Sequence, residues 1–153
     1  MALSYLTVQD MLFVNLQVTK AKQAFDYARL EEAVFYQYAS GKSTDLVAQG
    51  ARFLTGFAKM APFTDGNHAC AFVGLVAFLE ANGKSLAVSD AVAGAWLEPL
   101  WDDRLAAAKA IEEKLREGEL PTSYGVPDYQ EICISVIERY GATLGLLQAA
   151  VSA

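Results

Sequence analysis

The stretch Ala61–Gly83, APFTDGNHACAFVGLVAFLEANG, decides the fold of this chain. A tight turn, Thr64-Asp65-Gly66-Asn67, opens it. From Ala69 to Leu79 every residue is apolar or glycine, and Glu80 is the first charged residue after the turn. Asn82-Gly83 supplies residues that accept the left-handed conformation of a helix end. A helix that is apolar on every face is a buried helix. At about 1.5 Å per residue the uncharged run spans roughly 16 Å, about half a bilayer core, so a membrane span is excluded. The stretch therefore predicts a central helix over about 67–81, wrapped by other helices, with a polar turn at its N-terminus.

Working outward, the flanks read as helices. Thr7 is an N-cap for a helix over roughly Val8–Lys20, with Asp10 in its first turn and Val8, Met11, Leu12, Leu16 and Val18 as its apolar side. A second helix, about Phe25–Ala39, places Tyr27, Leu30, Val34 and Tyr38 at three- and four-residue steps, with Asp26, Arg29, Glu32 and Gln37 off that line. Gly41 stops it. Ser43 or Thr44 caps a third helix to about Met60, with Leu46, Gly50, Phe53, Phe57 and Ala61 along one line, and Pro62 ends it. After the central helix, Ser89 caps a short segment to about Trp101. Asp102-Asp103 begin a helix to about Glu117 in which Glu112 and Arg116 form a four-residue pair. Gly118–Pro127 is the clearest loop. Asp128 caps a last helix with Tyr129, Cys133, Val136, Tyr140, Leu144 and Leu147 on one side. Strand-like alternation never exceeds a few residues. The predicted class is all-α, one domain over 1–153.

Composition narrows the function classes. The chain has 153 residues, 54% of them hydrophobic, which excludes disorder and suffices for one sizeable core. The formal net charge is −6 and the isoelectric point about 4.7, so long-range electrostatics disfavour nucleic acid and anionic membranes as partners. Met1–Tyr5 lacks a basic region followed by an apolar run, the pattern of a signal peptide. Cys70 and Cys133 lie in apolar helical stretches and are expected to be reduced core thiols. A cytoplasmic location is expected. Phe25, Tyr27, Phe35, Tyr36 and Tyr38 either line a groove or form a half-buried helix face.

The turn before the central helix holds the candidate chemistry. Gly66 permits positive φ or a close backbone approach. Asp65 or Asn67 can cap the helix, and its first N–H groups make an anion site in principle. A carboxylate at Asp65 can hold a magnesium ion that bridges phosphates.

Ala61-Pro62-Phe63-Thr64-Asp65-Gly66-Asn67-His68-Ala69 resembles the signature of the Fic/Doc (death-on-curing) family, H-x-F-x-D/E-(G or A)-N-(G or K)-R. Phe78-Leu79-Glu80-Ala81-Asn82-Gly83 is similar to the end of the apolar helix that follows it in Doc-type members. Tyr5–Asp10 and Leu30–Ala33 resemble their first two helices. The resemblance covers roughly 4–95; the C-terminal helices, 96–153, lie outside it. It implies a Fic/Doc helical fold. It also implies transfer of AMP or phosphate from ATP to a protein hydroxyl, with the motif histidine as base, the acidic residue on magnesium, the turn cradling phosphate and the arginine neutralising it.

The chain departs from that signature where chemistry is done. Ala61 stands at the base position, Ala69 at the arginine position, and His68 replaces glycine or lysine. Phe63, Asp65, Gly66 and Asn67 remain as the phosphate- or nucleotide-binding turn, with His68 beside them and Asp65 as the metal ligand. A missing general base costs about 3–5 kcal/mol of barrier, and a missing charge clamp roughly 3–4 kcal/mol more. The expectation is a Doc-like protein of toxin–antitoxin lineage whose transferase site is inactive and which acts through a protein partner, antitoxin-like or a second copy of itself. The alternatives are a transferase with a rearranged site, using ATP, magnesium and His68 as substitute base, and a nucleotide- or anion-binding regulator.

Overall fold

The computed structural model describes residues 3–38, 45–118 and 127–152. Among them it contains helices α1 (Val8–Thr19), α2 (Tyr27–Phe35), α3 (Leu46–Met60), α4 (Asn67–Ala81), α5 (Asp90–Leu97), α6 (Arg104–Lys114), α7 (Tyr129–Arg139) and α8 (Gly141–Ser152), and two three-residue strands, β1 (Lys84–Leu86) and β2 (Leu115–Glu117). The fold is all-α. The N-terminal signals act as their chemistry dictates. Thr7 and Asp10 form a reciprocal capping box on α1. Asp26, Asp45, Asp103 and Asp128 each accept a first-turn N–H of α2, α3, α6 and α7. The residues proposed to end α2 and to cap α3, Gly41, Ser43 and Thr44, lie outside the described residues, as does most of the loop before Asp128.

Helix α4 is the axis of the molecule. Every residue from Ala69 to Leu79 is buried. Around it pack α1, α3, α7, α8 and β1, while α2 and α6 pack on α3, and α5 on α8. The C-terminal third of the chain thus supplies part of the shell around the central helix. Gly74 permits the close α3–α4 contact: a Cβ there would stand 2.6 Å from Cε2 of Phe53.

Several local expectations change. The α1 face turns so that Met11, Val14 and Asn15 are buried and Leu16 is 47% exposed. Gln37 is fully buried rather than off the packed side. Its amide joins the Leu6 backbone N–H and C=O at 2.6 and 2.7 Å, and so fastens the N-terminal segment. The helix expected to run to Glu117 stops at Lys114, because Leu115–Glu117 pairs antiparallel with Lys84–Leu86. Arg116 is therefore opposite Ser85 in a strand, and its guanidinium donates to the Glu113 and Leu115 carbonyls, so the helical pair with Glu112 does not form. Lys84 and Glu117 form an ion pair across the ribbon. The last helix is two helices, broken at Tyr140, whose hydroxyl donates to the Val88 carbonyl at 2.5 Å. Ser89 makes no side-chain cap; Asp90 instead accepts the Ala142 and Thr143 N–H groups at 3.0 and 2.8 Å and so caps α8 from α5.

Candidate functional site

The turn between α3 and α4 is built by four hydrogen-bonded fastenings. Ala61 ends α3 in the left-handed region (φ 45°), exposed, its N–H on the Phe57 carbonyl. Pro62, Phe63 and Thr64 then run extended beside Ala24–Asp26. Asp26 N–H donates to the Pro62 carbonyl at 2.9 Å, and Thr64 N–H to the Ala24 carbonyl at 3.0 Å. The Phe25 and Phe63 rings pack 6.0 Å apart across this bridge. Next, the Asn67 side chain reaches back to Phe63, accepting its N–H and donating to its C=O, both at 2.9 Å. Third, Asn15 of α1 donates to the Asp65 carbonyl at 2.9 Å, and the same amide lies 3.5 Å from the Cys70 sulfur. Fourth, the Asp65 carboxylate accepts the N–H of Gly66 at 2.8 Å. Gly66 begins α4 with φ 86°, and a Cβ there would sit 2.6 Å from Cγ2 of Thr19 and 3.0 Å from Nδ2 of Asn15. The turn is pressed against α1, so glycine is required for both conformation and space.

The structure brings Phe63, Asp65, Gly66 and Asn67 together as one turn and gives them structural partners. Phe63, Gly66 and Asn67 are buried, and Asp65 is half-buried. Neither Asp65 nor Asn67 caps α4 through its side chain. Ala69 is fully buried in the first turn of α4. Among the described residues no group of three or more His, Cys, Asp or Glu side chains is arranged to hold a metal ion.

His68 is half-buried and packs edge-on against Trp101, ring centroids 4.5 Å apart at 81°. Trp101 follows α5 in the turn that leads to α6. Burial lowers the His68 pKa from its ordinary value, and the nearby Asp102 carboxylate offsets part of that effect. The ring is therefore predominantly neutral at pH 7. Cys70 and Cys133 are free and buried, and burial pushes both thiols up to about 12. They are core thiols.

Two residues escape sequence reasoning, Asn15 and Trp101, and so does the bridge that Phe25 makes to the turn. Asn15 falls four residues after Met11, on the buried side of α1, which is the pattern signal for a buried polar fastener. Phe25 precedes α2 and bridges to the turn. Nothing in the linear order of the chain associates Trp101 with His68. The aromatic residues on and flanking α2 are more open than a half-buried helix face: Phe25 is 40% exposed, Tyr27 60%, Phe35 58% and Tyr38 37%, while Tyr36 is half-buried under the Arg52 guanidinium. No described helix is long and apolar enough to cross a membrane. No family model matches the chain, and neither a curated protein nor a solved structure does.

Proposed function

We propose that the chain is a Doc-like protein of toxin–antitoxin lineage whose nucleotide-transferase site is inactive and which acts through a protein partner, antitoxin-like or a second copy. The observation that carries this reading is the use to which the remaining motif residues are put. Asn67 is spent on both backbone groups of Phe63, Asp65 on the N–H of Gly66, and Gly66 on close packing with Thr19 and Asn15. The methyl groups at Ala61 and Ala69 can neither take a proton nor neutralise a phosphate. What persists preserves the shape of the turn; what is missing did the chemistry.

The rival, a transferase using His68, has one observation in its favour: a depressed pKa leaves the imidazole neutral and able to accept a proton. Against it, the ring is engaged edge-on with Trp101. Calorimetric titration with ATP and magnesium separates the readings. Absence of binding is expected. Binding without protein labelling would instead make the protein a nucleotide-dependent regulator, and binding with labelling would make it an enzyme.

A further inference from the structure

A cleft of about 400 Å³ is lined by Thr55, Gly56 and Lys59 of α3 and by Trp101, Asp102 and Arg104 at the start of α6. From this lining we infer a binding site for a small aromatic monocarboxylate, formed between the C-terminal half of α3 and the α5–α6 turn. The inference is independent of the Doc-like reading, because none of the six residues belongs to the motif.

Each feature selects part of the ligand. Among the described residues the exposed side chains of Lys59 and Arg104 make no ion pair and no hydrogen bond, so both charges are available to a ligand. Asp102 lines the same cleft. Two cations and one carboxylate leave one net positive charge, which matches a monoanion and disfavours a phosphate dianion. Arg104 offers the planar fork that suits a carboxylate, and Lys59 a point charge. The half-buried indole of Trp101 offers an apolar wall to an aromatic ring. His68, packed edge-on against that indole and predominantly neutral at pH 7, holds the wall in place without adding a competing charge. The volume falls within the range of small-molecule pockets and is too small for a folded segment.

The test uses the full chain with its two tryptophans labelled with ¹⁵N on the indole. Trp96→Phe assigns the two side-chain N–H resonances. Benzoate is titrated as the probe, with benzamide, acetate and AMP as comparators. Benzoate is expected to shift the Trp101 resonance saturably in the low millimolar range and leave Trp96 unmoved. Benzamide, which lacks the charge, and acetate, which lacks the ring, are each expected to bind at least about tenfold more weakly. Lys59→Gln and Arg104→Gln, both surface changes, should each weaken benzoate about tenfold or more while the rest of the spectrum is unchanged. A Trp101 resonance that does not saturate, a benzoate affinity that survives both charge removals, or tighter binding of AMP than of benzoate would each overturn the inference.

Discussion

Truncating Asn67 to alanine isolates the function of the turn. Its side chain makes two hydrogen bonds of 2.9 Å to the N–H and C=O of Phe63. Asn67 is 8% exposed and Phe63 5%, so removing the amide strands one buried donor and one buried acceptor. Each such group costs about 1–3 kcal/mol when left unsatisfied. Partial entry of water trims the total, and we expect a loss of about 2–4 kcal/mol. For a chain of this size that corresponds to a melting temperature lowered by roughly 5–15 °C. Urea unfolding at pH 7, followed by circular dichroism and tryptophan fluorescence, should show a lower midpoint at an unchanged slope. A loss below about 0.5 kcal/mol, the range of an ordinary surface substitution, would refute the reasoning. It would mean that the Asn67 amide does not hold the turn and is available to a ligand.

Four further outcomes follow from the packing. Gly74→Ala should destabilise by about 1–3 kcal/mol in the same urea assay, since the new methyl meets the fully buried Phe53 ring at 2.6 Å. Restoring the motif should be asymmetric. Ala61→His, at an exposed position, should change stability by no more than about 0.5 kcal/mol. Ala69→Arg places a charge at a fully buried position and should cost at least about 3 kcal/mol or abolish soluble expression. On acidification, two losses of stability should separate. His68 has a lowered pKa in the folded chain, so the unfolded chain binds its proton first and stability falls as pH drops below about 6.5; His68→Gln should flatten that region of a pH–midpoint curve. Asp90, held low by its bonds to Thr143, contributes stability above about pH 4 that is lost as pH falls through its folded value, and Asp90→Asn should remove that step. Cys70 and Cys133 should react with a thiol reagent at pH 8 only after denaturant is added.

The central helix was legible because its signal is local and strong: an uncharged run with a glycine–asparagine turn before it and Asn82-Gly83 after it. Asn67–Ala81 agrees with the helix expected over 67–81. Caps at Thr7 and Asp128 were legible for the same reason, as each acts within its own first turn. What the sequence hides depends on distant partners. The end of α6 is set by the pairing of Leu115–Glu117 with β1, which overrides a helical charge pair worth only about 0.2–0.5 kcal/mol. Gln37 is polar and sits off the apolar line, yet it is buried because the Leu6 backbone needs partners. At the candidate site, the turn's residues were readable as a unit. Their engagement with Asn15, Thr19 and Phe25, and the seating of Trp101 on His68, arise from helices meeting in space.

The most direct measurement of the central claim is transfer of label from ATP. Wild-type protein is incubated with magnesium and with ATP labelled at either the α- or the γ-phosphate, alone and in a cell lysate, and proteins are separated and counted. The account predicts no labelled protein above a no-enzyme control with either isotope position, because Ala61 and Ala69 supply neither a base nor a charge clamp. Labelling by the wild-type chain that disappears in His68→Ala while the variant stays folded would contradict it, and would establish a working base at the ring now packed against Trp101.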